Sequence, residues 1–130
     1  MRKWLIASSA LALTTATSHA QNLEAGENFF KPCLACHAIG VGATNKIGPE
    51  LNGLDGRKAG AVEDFPGYSV AMKKSGITWS DVTFKTYIRD PKGNVPGTTM
   101  SFPGILDENK VAALWAYIKQ FGADGNNKYK

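Results

Sequence analysis

The chain has two cysteines, three positions apart, and a histidine directly follows the second: Cys33-Leu34-Ala35-Cys36-His37. A disulfide between residues so close would constrain little of the unfolded chain, and it would not require His37. A structural zinc site needs four ligands, and apart from His19 the chain has no further cysteine or histidine to supply the fourth. A thioredoxin-like redox pair expects a preceding strand and βαβ surroundings, and alternating strand patterns are scarce here. Cys-x-x-Cys-His is also the attachment signature of haem c. The spacing lets one turn of chain bring both thiols to the two haem vinyl groups as thioethers. His37 then falls beneath the iron as proximal ligand.

The first twenty residues read as a secretory leader rather than as part of a domain. Met1-Arg2-Lys3 is cationic, Trp4 to Leu13 is apolar apart from Ser8 and Ser9, and the small, polar stretch that follows ends Ser18-His19-Ala20. This order matches a cleaved signal peptide, and the apolar run is well short of the roughly 20 residues that span a bilayer. Residues 1–20 are therefore expected to be removed. One domain, residues 21–130, would remain in the periplasm without stable membrane insertion. Losing Arg2 and Lys3 leaves 13 of the 15 basic residues against 11 acidic ones, a formal +2. Two haem propionates would cancel that excess, so the basic balance gives no support to nucleic-acid binding. A local lysine ring could still steer an acidic partner.

The mature stretch reads as all-α, with short helices between glycine- and proline-rich loops. A first helix is expected from Leu23 to Lys31 with Asn22 as N-cap, its regular part ended by Pro32. Gly40 to Gly67 reads as one long ordered loop, which in a small domain usually wraps something. Ser69 and Ser80 are expected to cap helices closing at Gly76 and at Asp90-Pro91. Phe84, Tyr87 and Ile88 share one face of the second. Lys92 to Ile105 reads as loop. Asp107 opens the last helix, striped by Val111, Leu114, Trp115 and Ile118 and closed by Gly122.

What holds the other face of the iron decides the chemistry. An open position suits gas binding or peroxide chemistry, whereas two protein ligands suit electron transfer. His19 leaves with the leader, which excludes a second histidine within one chain. Met72 lies in a helical stretch and reads as packing. Met100 lies in Pro96-Gly97-Thr98-Thr99-Met100-Ser101-Phe102-Pro103-Gly104, a stiff extended loop, and is the favoured ligand; thioether ligation raises the reduction potential. The competing reading is a haem enzyme or gas sensor with a labile distal site.

Gly48-Pro49-Glu50-Leu51-Asn52-Gly53-Leu54, Gly56-Arg57-Lys58-Ala59-Gly60, Gly67-Tyr68-Ser69, Gly76-Ile77-Thr78-Trp79 and Val95-Pro96-Gly97-Thr98-Thr99-Met100-Ser101-Phe102, in this order, resemble class I cytochrome c. With the haem motif and the terminal helices, the resemblance spans essentially the whole mature chain. The leader points to the bacterial periplasmic branch, cytochrome c2 and its relatives. The resemblance implies that the Pro49 carbonyl accepts the free ring N–H of His37. It implies that Arg57, Tyr68 and Trp79 partner the buried propionates, and that Tyr87 and Thr98 lie near Met100 and the propionates, with the Tyr87 hydroxyl reaching the sulfur. Gly26 and Phe30 would pack against Leu114 and Tyr117.

The same resemblance implies a monomeric, non-enzymatic carrier of single electrons. Its partners would be redox proteins docking briefly at an exposed haem edge: membrane electron-transfer complexes, a reaction centre, an oxidase, or a periplasmic dehydrogenase or reductase. There are departures. Only Lys31 and Pro32 separate Phe30 from Cys33, one residue fewer than in mitochondrial relatives. Met72 stands where an asparagine often supports internal water, and Asp64-Phe65 lies in a longer loop. Gly93 and Thr99 replace frequent rim lysines, leaving Lys31, Lys46, Lys92 and Lys119 for a partner-facing ring.

Overall fold

The computed structural model describes residues 14–130; the cationic start and apolar run of the expected leader, Met1 to Leu13, lie outside the described residues. Helix α1 runs Thr14–Phe30 and tightens into a 3-10 turn over Lys31–Ala35. Four helices follow: α2 Val70–Lys74, α3 Asp81–Arg89, α4 Pro91–Asn94 and α5 Glu108–Ile118. Extended pairing among the described residues is limited to two isolated bridges, Lys58 with Thr78 and Phe121 with Asn127. The fold is all-α, as expected.

The caps at α2, α3 and α5 follow directly from side-chain chemistry. Ser69 accepts from the Met72 N–H at 3.0 Å. Ser80 and Thr83 form a reciprocal capping box, which satisfies two N–H groups that the first turn leaves without helical partners. Asp107 accepts from the N–H groups of Asn109 and Lys110.

Three boundaries differ from expectation. Asn22 is not an N-cap but an internal residue of α1. With residues 14–21 attached, carbonyls one turn earlier can take the N–H groups that a cap would otherwise have to satisfy. Within the stretch read as loop, Pro91–Asn94 forms α4, with Asp90 accepting from the Gly93 N–H at 3.0 Å; proline suits a first helical position. The last helix stops at Ile118 rather than at Gly122. There the tail folds back, pairing Lys128 N–H with the Gln120 carbonyl and Gly122 N–H with the Asn126 carbonyl, so one acceptor and one donor that another helical turn would need are used elsewhere.

Helices α1 and α5 form the scaffold. A Cβ at Gly26 would collide with the Ala113 carbonyl and the Tyr117 side chain, so the two backbones approach as closely as glycine allows. Beside that crossing Phe30 packs on Tyr117, ring centroids 5.5 Å apart. Val111, Leu114, Trp115 and Ile118 are buried in the core, each such apolar side chain contributing about 1.5–3 kcal/mol. From α3, Phe84 stacks on Trp115 at 4.9 Å, and Tyr87 and Ile88 bury beside it. The long loop and the Met100 loop complete the walls of a cavity against this scaffold.

Candidate functional site

Pro32 and the 3-10 turn at the end of α1 set the Cys-x-x-Cys-His segment. The Cys33 carbonyl accepts both the Cys36 N–H at 3.1 Å and the His37 N–H at 2.9 Å, which coils the segment so that both thiols and the imidazole line one cavity. The thiols are not joined and are half-buried. Burial pushes the Cys33 thiol above its ordinary pKa, against the lowering effect of its own backbone.

The Gly48–Leu51 segment holds His37 from the other side. Gly48 N–H donates to the Cys36 carbonyl at 2.7 Å, and Leu51 N–H donates to the Ala38 carbonyl at 2.9 Å. His37 Nδ1 donates to the Pro49 carbonyl at 2.7 Å, which leaves Nε2 available as a ligand. A Cβ at Gly48 would strike the imidazole, so the ring lies flush against this backbone. Burial lowers the His37 pKa; Pro49 partly opposes this, and Arg57 and Lys46 add to it. The shift favours the neutral imidazole, the form that metal ligation requires.

One cavity of about 330 Å³ brings together every residue that the sequence assigned to the haem and its iron: Cys33, Cys36, His37, Pro49, Arg57, Tyr68, Trp79, Tyr87, Thr98 and Met100. That volume is within the range of cofactor pockets. Arg57 and Trp79 are tied by backbone pairing, Trp79 N–H to the Arg57 carbonyl at 2.9 Å. Tyr68 accepts from the Val62 N–H at 3.3 Å. The Tyr87 hydroxyl lies 3.2 Å from Thr98 Oγ1 and donates to Met100 Sδ at 3.4 Å.

Some of the lining is not evident from the sequence. Met72 is buried and borders the same cavity as Met100, so it is more than remote packing. Phe65, from the lengthened loop, also lines the cavity and meets Tyr68 edge-on at 4.8 Å. Glu50 was visible within the Gly-Pro segment but carried no assigned role; it faces Arg57 at 3.5 Å. Neither contact leaves a periodic trace, because each is made between near neighbours in an irregular loop, where side-chain direction follows no helix or strand period.

The lining fits haem c. Two thiols and an oriented imidazole are present, and Arg57 Nε is buried with no hydrogen-bond partner. An unpaired buried guanidinium N–H on a residue of the cavity wall suits a carboxylate such as a haem propionate. An all-α shell around such a cavity, opened by a Cys-x-x-Cys-His turn, defines a c-type haem protein.

Comparison with known proteins agrees. The family described as Cytochrome c matches residues 23–122. The chain is 55% identical to cytochrome c2 of Blastochloris viridis over 98% of this chain and 100% of that protein. It is 57% identical to cytochrome c-550 of Bradyrhizobium diazoefficiens, covering 80% of this chain and 76% of that one. The solved structure of cytochrome cH from Methylobacterium extorquens superposes with a TM-score of 0.69 at 47% identity, over 75% of this chain and 96% of that chain. The chain belongs to the cytochrome c family. It carries one covalently attached haem c and serves electron transfer of the cytochrome c2 kind, not catalysis.

Proposed function

We propose that the mature protein, residues 21–130, is a monomeric periplasmic shuttle whose haem c is bonded to Cys33 and Cys36 and ligated by His37 and Met100. The observation carrying this reading is the Tyr87 hydrogen bond to Met100 Sδ at 3.4 Å within the cavity that His37 lines. Met72 borders the same cavity, but its helix and the Ser69 cap account for its position. Bound there, haem supplies an iron centre that exchanges one electron. Pro49 orients the imidazole, Tyr87 and Thr98 orient the thioether, and Arg57, Tyr68 and Trp79 would partner the propionates. A site whose ligands are held this firmly reorganises little on electron transfer.

Removal of residues 1–20 as a leader is supported by their charge and hydropathy order. Among the described residues no helix is long and apolar enough to cross a membrane. Partners are redox proteins: membrane electron-transfer complexes, a reaction centre, an oxidase, or a periplasmic dehydrogenase or reductase. They would dock at the cavity mouth, where Ile47 is 79% exposed, through a small transient interface with salt-dependent rates.

The test is the near-infrared sulfur-to-iron band of the oxidised protein. Met100→Ala is expected to abolish it and Met72→Ala to keep it. The reverse pattern, or a high-spin resting state that binds carbon monoxide rapidly once reduced, would sink this assignment.

A further inference from the structure

Glu50 is not among the residues assigned to the haem, yet each oxygen of its carboxylate has a partner. Oε2 accepts the Asn52 N–H at 2.6 Å, and Oε1 lies 3.5 Å from Arg57 Nη1. The same Nη1 donates to the Asn52 carbonyl at 3.1 Å. Asn52 is itself locked: its side chain exchanges hydrogen bonds with the Gly40 backbone at 2.7 and 2.9 Å. One edge of the guanidinium is thus clamped between a carboxylate and a rigid carbonyl. Its Nε remains buried, without a partner, on a residue of the cavity wall.

We propose that Glu50 is a positioning residue that turns Arg57 Nε toward a haem propionate, and that its charge holds the reduction potential below the value Arg57 alone would set. This rests on the haem site proposed above. The sign follows from electrostatics. A cation beside the haem favours the reduced, less positive centre, and an anion favours the oxidised one. The side chains of Arg57 and Glu50 are only 15% and 23% exposed, so their charges are screened less than surface charges. Burial lowers the Arg57 pKa while Tyr68 and Glu50 raise it, and Glu50 therefore also helps keep the guanidinium charged.

Glu50→Gln keeps an oxygen for the Asn52 N–H and removes the charge. The expected result is a rise in midpoint potential equivalent to a three- to tenfold shift in the oxidised-to-reduced ratio, tenfold being about 59 mV for one electron. Glu50→Asp retains the charge and should restore most of the wild-type potential. In an Arg57→Gln background the Glu50→Gln shift should shrink. An unchanged or lower potential in Glu50→Gln, an aspartate variant as high as the glutamine one, or full additivity with Arg57→Gln would each overturn the inference. The near-infrared band is recorded on the same samples. Its absence from the wild-type protein would count against the Met100 ligand, whereas an intact band with an unmoved potential counts against Glu50 alone.

Discussion

The Tyr87 hydroxyl and the Met100 sulfur lie 3.4 Å apart, with Thr98 Oγ1 on the same hydroxyl at 3.2 Å. The two residues come from different elements, α3 and the loop before α5, and the core cluster holds them together. An O–H donating to a thioether draws electron density from sulfur and makes it a poorer donor to ferric iron. Tyr87→Phe should therefore lower the midpoint potential, by about 20–60 mV if the bond is worth roughly 0.5–1.5 kcal/mol. Redox titration of the two proteins under one buffer decides it, and a rise in potential would refute the account.

Alkaline pH should destabilise the fold. Burial raises the Tyr87 phenol above its ordinary pKa, opposed by the Thr98 hydrogen bond. Burial likewise raises Tyr68, opposed chiefly by the Val62 N–H. In the unfolded chain these phenols ionise near pH 10, so above that pH the unfolded state binds fewer protons than the folded one. Their contribution is complete below about pH 10 and declines as pH rises through the elevated folded values. Urea midpoints between roughly pH 8 and 11.5 should fall at the alkaline end, and less steeply in Tyr87→Phe. A flat wild-type profile would contradict this.

Gly26→Ala sets two effects against each other. Helix propensity alone predicts a gain of about 1 kcal/mol. The new methyl would meet the Ala113 backbone carbonyl and the Tyr117 Cβ, atoms that cannot swing aside, and overpacking of this kind typically costs about 1–3 kcal/mol. The clash is expected to win, with a net loss near 1 kcal/mol in denaturant unfolding and the near-infrared band retained. A stabilised variant would mean that α1 and α5 separate more easily than their packing implies.

Much of the chain was legible in its local chemistry. The Cys33–His37 spacing restricts the cofactor because two thiols and an imidazole within one turn suit few other uses. Ser80 and Asp107 announce helix starts because a short polar side chain satisfies N–H groups a few residues away. The buried stripe of α5 follows from helical periodicity alone. Where expectation and structure part, neighbouring segments intervened: the preceding turn took over at Asn22, the Asp90 cap opened a short helix at Pro91–Asn94, and the folded-back tail ended α5 before Gly122.

The sequence by itself determined the helical class, the haem attachment motif and the short set of residues able to serve it, since all of these depend on residue type and short-range spacing. Only the tertiary structure decided how those residues meet. Met72 as well as Met100 reaches the cavity, Phe65 joins its lining, and Glu50 clamps Arg57 from a neighbouring turn. Such contacts depend on how loops are carried by the α1–α5 crossing, and that placement comes from the packing of the whole core.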